Sequence, residues 1–285
     1  MKFTPRRLAG NVNVSSGHPL TELTWLLGGL LTLLIAVYLA FWLASELLAP
    51  QVPVKVEVWA GQHLLGQLDQ ESNPALQQRL DQLLAMLPTG SPLHRYEFSV
   101  SLVNSDEVNA LALPGGHMVI FSGLLKEIRS ENELAMVLAH ELGHYARRDH
   151  LRGMGRGLGM TLLMATLFGQ ESRAAGIAAR FFSGLEMRYS QKQETAADTF
   201  GLQLLTARYG HAGGATNFFE RLEGQVGSRF DYLLASHPHP RARIASLQRM
   251  ITEAGYPLAD TLPLQGEELL IDNDRAAINA DGPSE

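Results

Sequence analysis

Two histidines and a glutamate fall in the pattern H-E-x-x-H at His140-Glu141-Leu142-Gly143-His144. On a helix, His140 and His144 stand one turn apart and share a face. Two imidazoles so placed can bind a single Zn²⁺. Glu141 then lies beside the metal and can take a proton from a water the metal polarises. Downstream, Glu194 and Asp198 repeat the four-residue spacing with carboxylates. A catalytic zinc takes three protein ligands and keeps one position open. Glu194, Asp198 and the remaining histidines are the candidates for the third. An acid that is not a ligand can orient a ligand imidazole from behind. His237 and His239 flank Pro238 ahead of Arg243; a histidine on such a loop can reach a cleft and donate to a developing oxyanion. His150, His117 and His211 are weaker candidates. His150 follows Asp149 beyond the zinc-binding face. His117 follows two glycines and is placed to line a cleft. His211 follows Gly210 at a helix end, where a cationic ring suits the dipole. There is no cysteine, which excludes a thiolate metal site, a cysteine nucleophile and a disulfide framework.

These groups need elements to hold them. Leu134, Val137, Leu138 and Leu142 recur at helical spacing, Ser130 and Glu133 form a starting cap, and the helix is expected to run to about His150. Gly143 omits a side chain where a neighbouring strand or a substrate can come close. Glu186 to Tyr209 is the helix expected to carry the two acids. Ahead of the zinc helix, Val54 to Val58 alternates like a half-buried strand, and Asn73 to Leu87 reads as an amphipathic helix. Tyr96 to Val103, Val108 to Leu113 and His117 to Phe121 read as strands, the last two split by a turn at Pro114-Gly115-Gly116. After the zinc helix, Gly153, Gly155, Gly157 and Gly159 read as a flexible joint, a hinge for a lid. They do not form G-x-G-x-x-G and follow no strand, which argues against phosphate binding. Met160 to Phe168 is apolar and too short to span a membrane, so it packs in the core or lies on a bilayer surface. Thr216 to Leu222 and Arg241 to Ile251 read as further helices. The fold class is α+β, mostly helical, with a small sheet.

The chain has 285 residues, 46% hydrophobic, enough for a sizeable core, and a net charge of −6. No basic run or aromatic-basic stripe occurs, so nucleic acid is not an expected partner. No charge occurs between Glu22 and Glu46. That run, at about 1.5 Å per residue, spans roughly 35 Å as a helix and crosses a bilayer. Trp25 and Trp42 lie near its ends, where interfacial aromatics belong. A signal peptide has a shorter apolar core and a small-x-small cleavage site, which Trp42 and Leu43 spoil here. The expected organisation is a flexible tail at 1–22, one transmembrane helix at 23–49 that contacts the lipid bilayer, a domain at 50–271, and a disordered tail at 272–285. Lys2, Arg6 and Arg7 precede the helix. The positive-inside rule keeps them cytoplasmic and puts the large domain outside, in the periplasm of a bacterium with the anchor in the inner membrane.

Several ordered motifs carry a resemblance. His140–His144 followed by Glu194-Thr195-Ala196-Ala197-Asp198 resembles the gluzincin metallopeptidases. Asn109-Ala110-Leu111-Ala112-Leu113-Pro114-Gly115-Gly116 is similar to the N-A-x-x-x-P-G-G run of metallopeptidase family 48, the family of HtpX, the CAAX prenyl endopeptidases and the Oma- and BepA-like proteins. Gly123-Leu124-Leu125 and Ser236-His237-Pro238 with Arg243-Ile244 resemble its other motifs. The match spans about Val54 to Ile251. The resemblance implies one Zn²⁺ per chain, Glu194 as third ligand and Asp198 as its partner behind the site. It implies Glu141 as general base, with His237 and Arg243 serving the substrate or transition state. It also implies that His117 to Phe121 is a sheet edge that pairs with an extended peptide; Asn109, Ala110, Gly115, Gly116, His117, Met118 and Val119 are then the substrate-binding residues. HtpX-like proteins add apolar spans between the zinc motifs, where this chain has only Met160–Phe168. The expected function is a membrane-anchored zinc endopeptidase acting on misfolded or envelope polypeptides. A chaperone or adaptor that keeps the fold with little turnover is the rival, and the intact Glu141 favours the enzyme. The sequence specifies no oligomer.

Overall fold

A computed structural model of the chain describes residues 19–168, 188–223 and 228–265. Residues 1–18 of the tail expected at 1–22, the tail expected at 272–285, and the start of the helix expected at Glu186 lie outside them. Helix α1 (Pro19–Leu48) begins four residues before the expected boundary at 23 and leads through Ala49–Gln51 into α2 (Val54–Leu65). By length and composition α1 can cross a membrane. The strand expected at Val54 to Val58 is therefore helical. The alternation of valines misled, because the inward positions are Glu57 and Gly61, four apart. Glu57 is fully buried against Arg148, its Oε1 2.7 Å from Nη2. Gly61 lets α2 lie on the carbonyl of Pro114. Tertiary contacts outweigh local strand propensity here.

Strand β1 (Gln70–Ser72) precedes α3 (Pro74–Leu84). Asn73 caps α3 by accepting from the Leu76 amide at 2.9 Å, and Leu76, Leu80 and Leu83 fill the core at helical spacing. Strands β2 (Ser99–Val103), β3 (Ala110–Leu113) and β4 (His117–Phe121) complete a sheet of order β1-β2-β4-β3. β2 and β4 run parallel, with Val100 opposite Met118; the other pairs are antiparallel. β4 thus has a strand on both sides, and the expected edge is not an edge. Among the described residues, the edge strands are β1 and β3.

A short α4 (Ser122–Glu127) leads to α5 (Glu131–Arg147), which carries the H-E-x-x-H pattern. Ser130 accepts from the Glu133 amide at 3.2 Å, as its spacing predicts. The Tyr145 hydroxyl donates to the carbonyls of Leu113 and His117 and ties α5 to the β3–β4 turn. α5 does not run to His150. Arg148 takes the left-handed conformation, φ 55°, which costs about 1–2 kcal/mol for a non-glycine residue. Its guanidinium offsets this with Glu57 and with the carbonyls of Ala49 and Pro50 at 2.9 and 2.8 Å. Helix α6 (Asp149–Phe168) restarts at once and is unbroken, so the four alternating glycines are no flexible joint. α7 (Gln191–Tyr209) opens on a capping box of Ser190 and Gln193 and ends at left-handed Gly210. α8 (Asn217–Leu222), α9 (Asp231–Ser236) and α10 (Pro240–Ala254) follow.

Candidate metal centre

The centre is built by α5 lying against α7. Gly143 and Ala197 make that approach possible: a Cβ on Gly143 would fall 2.7 Å from the Ala197 Cα. The omitted side chain thus admits a neighbouring helix, neither a strand nor a substrate. Ala197 sits between Glu194 and Asp198, so the same contact brings both acids onto the histidines.

His140, His144, Glu194 and His237 are all buried, and each offers one donor atom within 4.8 Å of the others. The Nε2 atoms of His140 and His144 are 3.1 Å apart. Glu194 Oε1 is 3.4 Å from His144 Nε2, and Oε2 is 3.7 Å from His140 Nε2. His237 reaches in from the end of α9, its Nδ1 3.0 Å from Glu194 Oε1 and 3.3 Å from His140 Nε2. Its Nε2 lies 3.7 Å from Glu141 Oε1.

The outer nitrogens have their own partners. Asp198 Oδ1 is 2.9 Å from His140 Nδ1, and Asp149 Oδ2 is 3.1 Å from His144 Nδ1. Carboxylates there hold the Nδ1 protons and leave both Nε2 lone pairs pointing inward, the arrangement a metal requires. The residues present therefore fit a metal ion.

The electrostatics agree. Burial opposes a charge on His144, but Asp149 and Glu194 outweigh it and raise the ring to about 9; such basicity strengthens a metal donor. For His140, burial and the neighbouring Arg243 favour the neutral ring. Burial likewise opposes the charge on Glu194, yet His237 and Arg243 hold its carboxyl far below the usual range. Burial also works against Asp198, and Arg243 brings it down to about 2.

Arg243 departs from its expected role. Its Nε and Nη2 donate to Asp198 at 3.0 and 2.6 Å, Nη1 is 2.8 Å from Glu194 Oε2, and the guanidinium lies 4.1 Å from the Phe219 ring centroid. It is buried behind the donors and fixes the two acids, so it does not line a cleft. The substrate-binding set also changes. Met118 and Val119 are fully buried inside the sheet. Gly115 and Gly116 have φ of 81° and 95°, and a Cβ on either would strike the backbone of Val58 or Glu97. His117 turns to Ser99, 2.9 Å from its Oγ. Asn109 is buried, with Oδ1 accepting from the Ala110 amide. Of the residues named for substrate, Ala110 alone lies on an edge strand, β3. Three other histidines lie apart from the centre. His150 packs near Glu57, exposed His239 immediately precedes α10, and His211 Nδ1 accepts from the Gly213 amide.

Two residues escaped the sequence reading. Tyr189 stacks on His144, ring centroids 3.8 Å apart. Asp149 was hidden by the expectation of one continuous helix. Five residues past His144 on such a helix lies about 140° round the axis; the left-handed Arg148 turns Asp149 back onto the ring.

Paired histidines from one helix and an acid from the next, with the glutamate of the motif between them, define a metallopeptidase-type centre. The chain belongs to peptidase family M48, whose model matches residues 70–251. It is 32% identical over 155 residues to the mitochondrial metalloendopeptidase OMA1 of Arabidopsis thaliana, covering 54% of this chain and 31% of that one. It is 30% identical over 187 residues to the beta-barrel assembly-enhancing protease of Escherichia coli K12, covering 61% and 38%. Metalloprotease YcaL of the same strain is 30% identical over 158 residues, covering 50% and 60%. The chain thus spans about a third of the length of the first two relatives.

Proposed function

We propose that this protein is a membrane-anchored zinc endopeptidase, with residues 23–49 as its anchor and residues 50–271 as its peptidase domain. The carrying observation is the convergence of two Nε2 atoms and the Glu194 carboxylate, with both Nδ1 atoms taken by Asp198 and Asp149. His140, His144 and Glu194 would hold one zinc ion. Zinc held there would supply Lewis acidity for the scissile carbonyl and for the attacking water. Glu141 takes the proton of the attacking water and passes it to the leaving amine. His237 donates to the oxygen that gains charge. It is a donor and not a fourth ligand, because four protein ligands leave no position for water. Open-edged β3 pairs with the substrate backbone as an added strand. The substrates are misfolded or envelope polypeptides. The excess of basic residues before α1 supports an inner-membrane protein with the catalytic domain in the periplasm.

Two experiments test this. Glu141→Gln retains its metal and loses at least roughly 10²-fold in peptide hydrolysis; a purified native chain that neither contains zinc nor takes it up overturns the reading. Alkaline phosphatase joined after Gly61 is active and a fluorescent protein at the same junction is dark. The opposite pair of results reverses the orientation.

A further inference from the structure

Helix α6 leaves the metal centre at Asp149 and runs back along α1. Gly155 meets Ser45 so closely that a Cβ on it would lie 2.8 Å from the Ser45 Oγ, and a Cβ on Gly159 would collide with the Phe41 ring. Four residues forward on α6 match four residues back on α1, so the two helices are antiparallel. Their charges stop at one level. Arg152 Nε is 2.9 Å from Glu46 Oε2, and Arg156 Nη1 is 3.6 Å from Glu46 Oε1. Beyond Glu46, α1 has no charge back to Glu22; beyond Arg156, α6 has none as far as Phe168, the last described residue there, and the next charge in the sequence is Glu171. That stretch of α6, at about 1.5 Å per residue, descends roughly 18 Å, a little more than half of a hydrocarbon core about 30 Å thick. A helix satisfies its own backbone at such depth, and small residues are what let helices pack closely in lipid. The chain is back at the metal centre by Tyr189, which stacks on His144.

We infer that α6 is a second lipid-embedded element, packed on α1, that enters the leaflet on the catalytic side and ends near the bilayer midplane without crossing. This rests on α1 being a membrane span. Asp149 touches His144, and the boundary at Arg156 lies seven residues further on. The metal centre is therefore held roughly 10 Å along the helix from the bilayer surface. The polypeptides it meets are those lying against the membrane.

The chain has no cysteine, so single labelling sites can be introduced cleanly. Met164 lies five residues past Gly159 in the charge-free stretch of α6. Met164→Cys, Leu31→Cys on α1 and Leu258→Cys on the exposed chain after α10 each carry a bimane in the full-length protein, reconstituted in phosphatidylcholine–phosphatidylglycerol vesicles. Quenching by doxyl-lipid and by aqueous iodide is then compared. The inference expects Met164 to follow Leu31, quenched several-fold more by doxyl-lipid than Leu258 and several-fold less by iodide. If Leu31 is quenched by lipid and Met164 by iodide, the inference falls and the anchor stands. If Met164 is reached by neither quencher, α6 is buried in protein and the inference falls as well. If Leu31 itself is open to iodide, the membrane reading of α1 fails with it.

Discussion

Two helix pairs meet at the Arg148 break, and glycine closes both. In α5–α7, Gly143 presses on the backbone of Ala197; in α1–α6, Gly155 and Gly159 press on the side chains of Ser45 and Phe41. A backbone cannot yield unless its helix moves, whereas a ring can rotate. The charges follow the same division. Glu194, Asp198 and Arg243 are buried to within a few per cent of exposure, while the Glu46 side chain at the α1–α6 contact is 35% exposed. One pair must hold donor atoms in place to fractions of an ångström. The other has only to stay together.

If the α5–α7 pair is the rigid one, changes there and at the ring that reaches into it from α9 cost most. The largest loss is expected at His237. His237→Phe keeps its fold and its metal and loses about 10²–10³-fold in kcat, the scale for one oxyanion donor, with a smaller change in KM. His239→Phe, on exposed His239, leaves kcat unchanged. Steady-state kinetics with metal analysis decides between them, and release of metal by His237→Phe would make that ring a ligand.

Next come the carboxylates. Asp198→Ala and Asp149→Ala each lower metal affinity by about 10–100-fold, the usual cost of losing a partner behind a ligand imidazole. Glu194→Ala, which removes an inward donor, lowers it further than either. Competition titration against a chelator ranks the three. An effect of Asp198 equal to or larger than that of Glu194 reverses their assigned roles.

The smallest expected effects bear on the comparison itself. Gly143→Ala destabilises the chain by about 1–3 kcal/mol, as an added methyl does in a packed contact, and weakens metal binding with it. Gly159→Ala changes stability by less, because Phe41 can turn aside. Denaturant unfolding of the two variants in one detergent measures both; equal losses would remove the distinction between a rigid pair and a loose one.

Much of the centre was legible because its spacing is local. His140 with His144, and Glu194 with Asp198, are one helical turn apart, and that relation needs nothing beyond the helix. The cap at Ser130 was equally local, and β4 occupies the expected residues, His117 to Phe121. The partners of Arg243 were illegible. The resemblance gave it to the substrate or transition state, and only the approach of α10 to α7 sets its guanidinium against Asp198 and Glu194. Val54 to Val58 was misread because a strand pattern of five residues is weaker than one buried ion pair and one glycine contact.

By itself, then, the sequence determined the chemistry: which donors exist, which pairs share a helix face, that no thiol takes part, and that one helix is long and apolar enough for a bilayer. Only the tertiary structure decided which groups meet across the chain. It put β3 rather than β4 at an edge of the sheet, gave Gly143 a helix for a neighbour, and set Asp149 behind His144. The physical reason is range. Periodicity and capping act over a few residues, but the edge of a sheet and the partner of a buried charge are fixed by packing between elements distant in the chain, and at Arg148 by a single left-handed residue that a guanidinium holds in place.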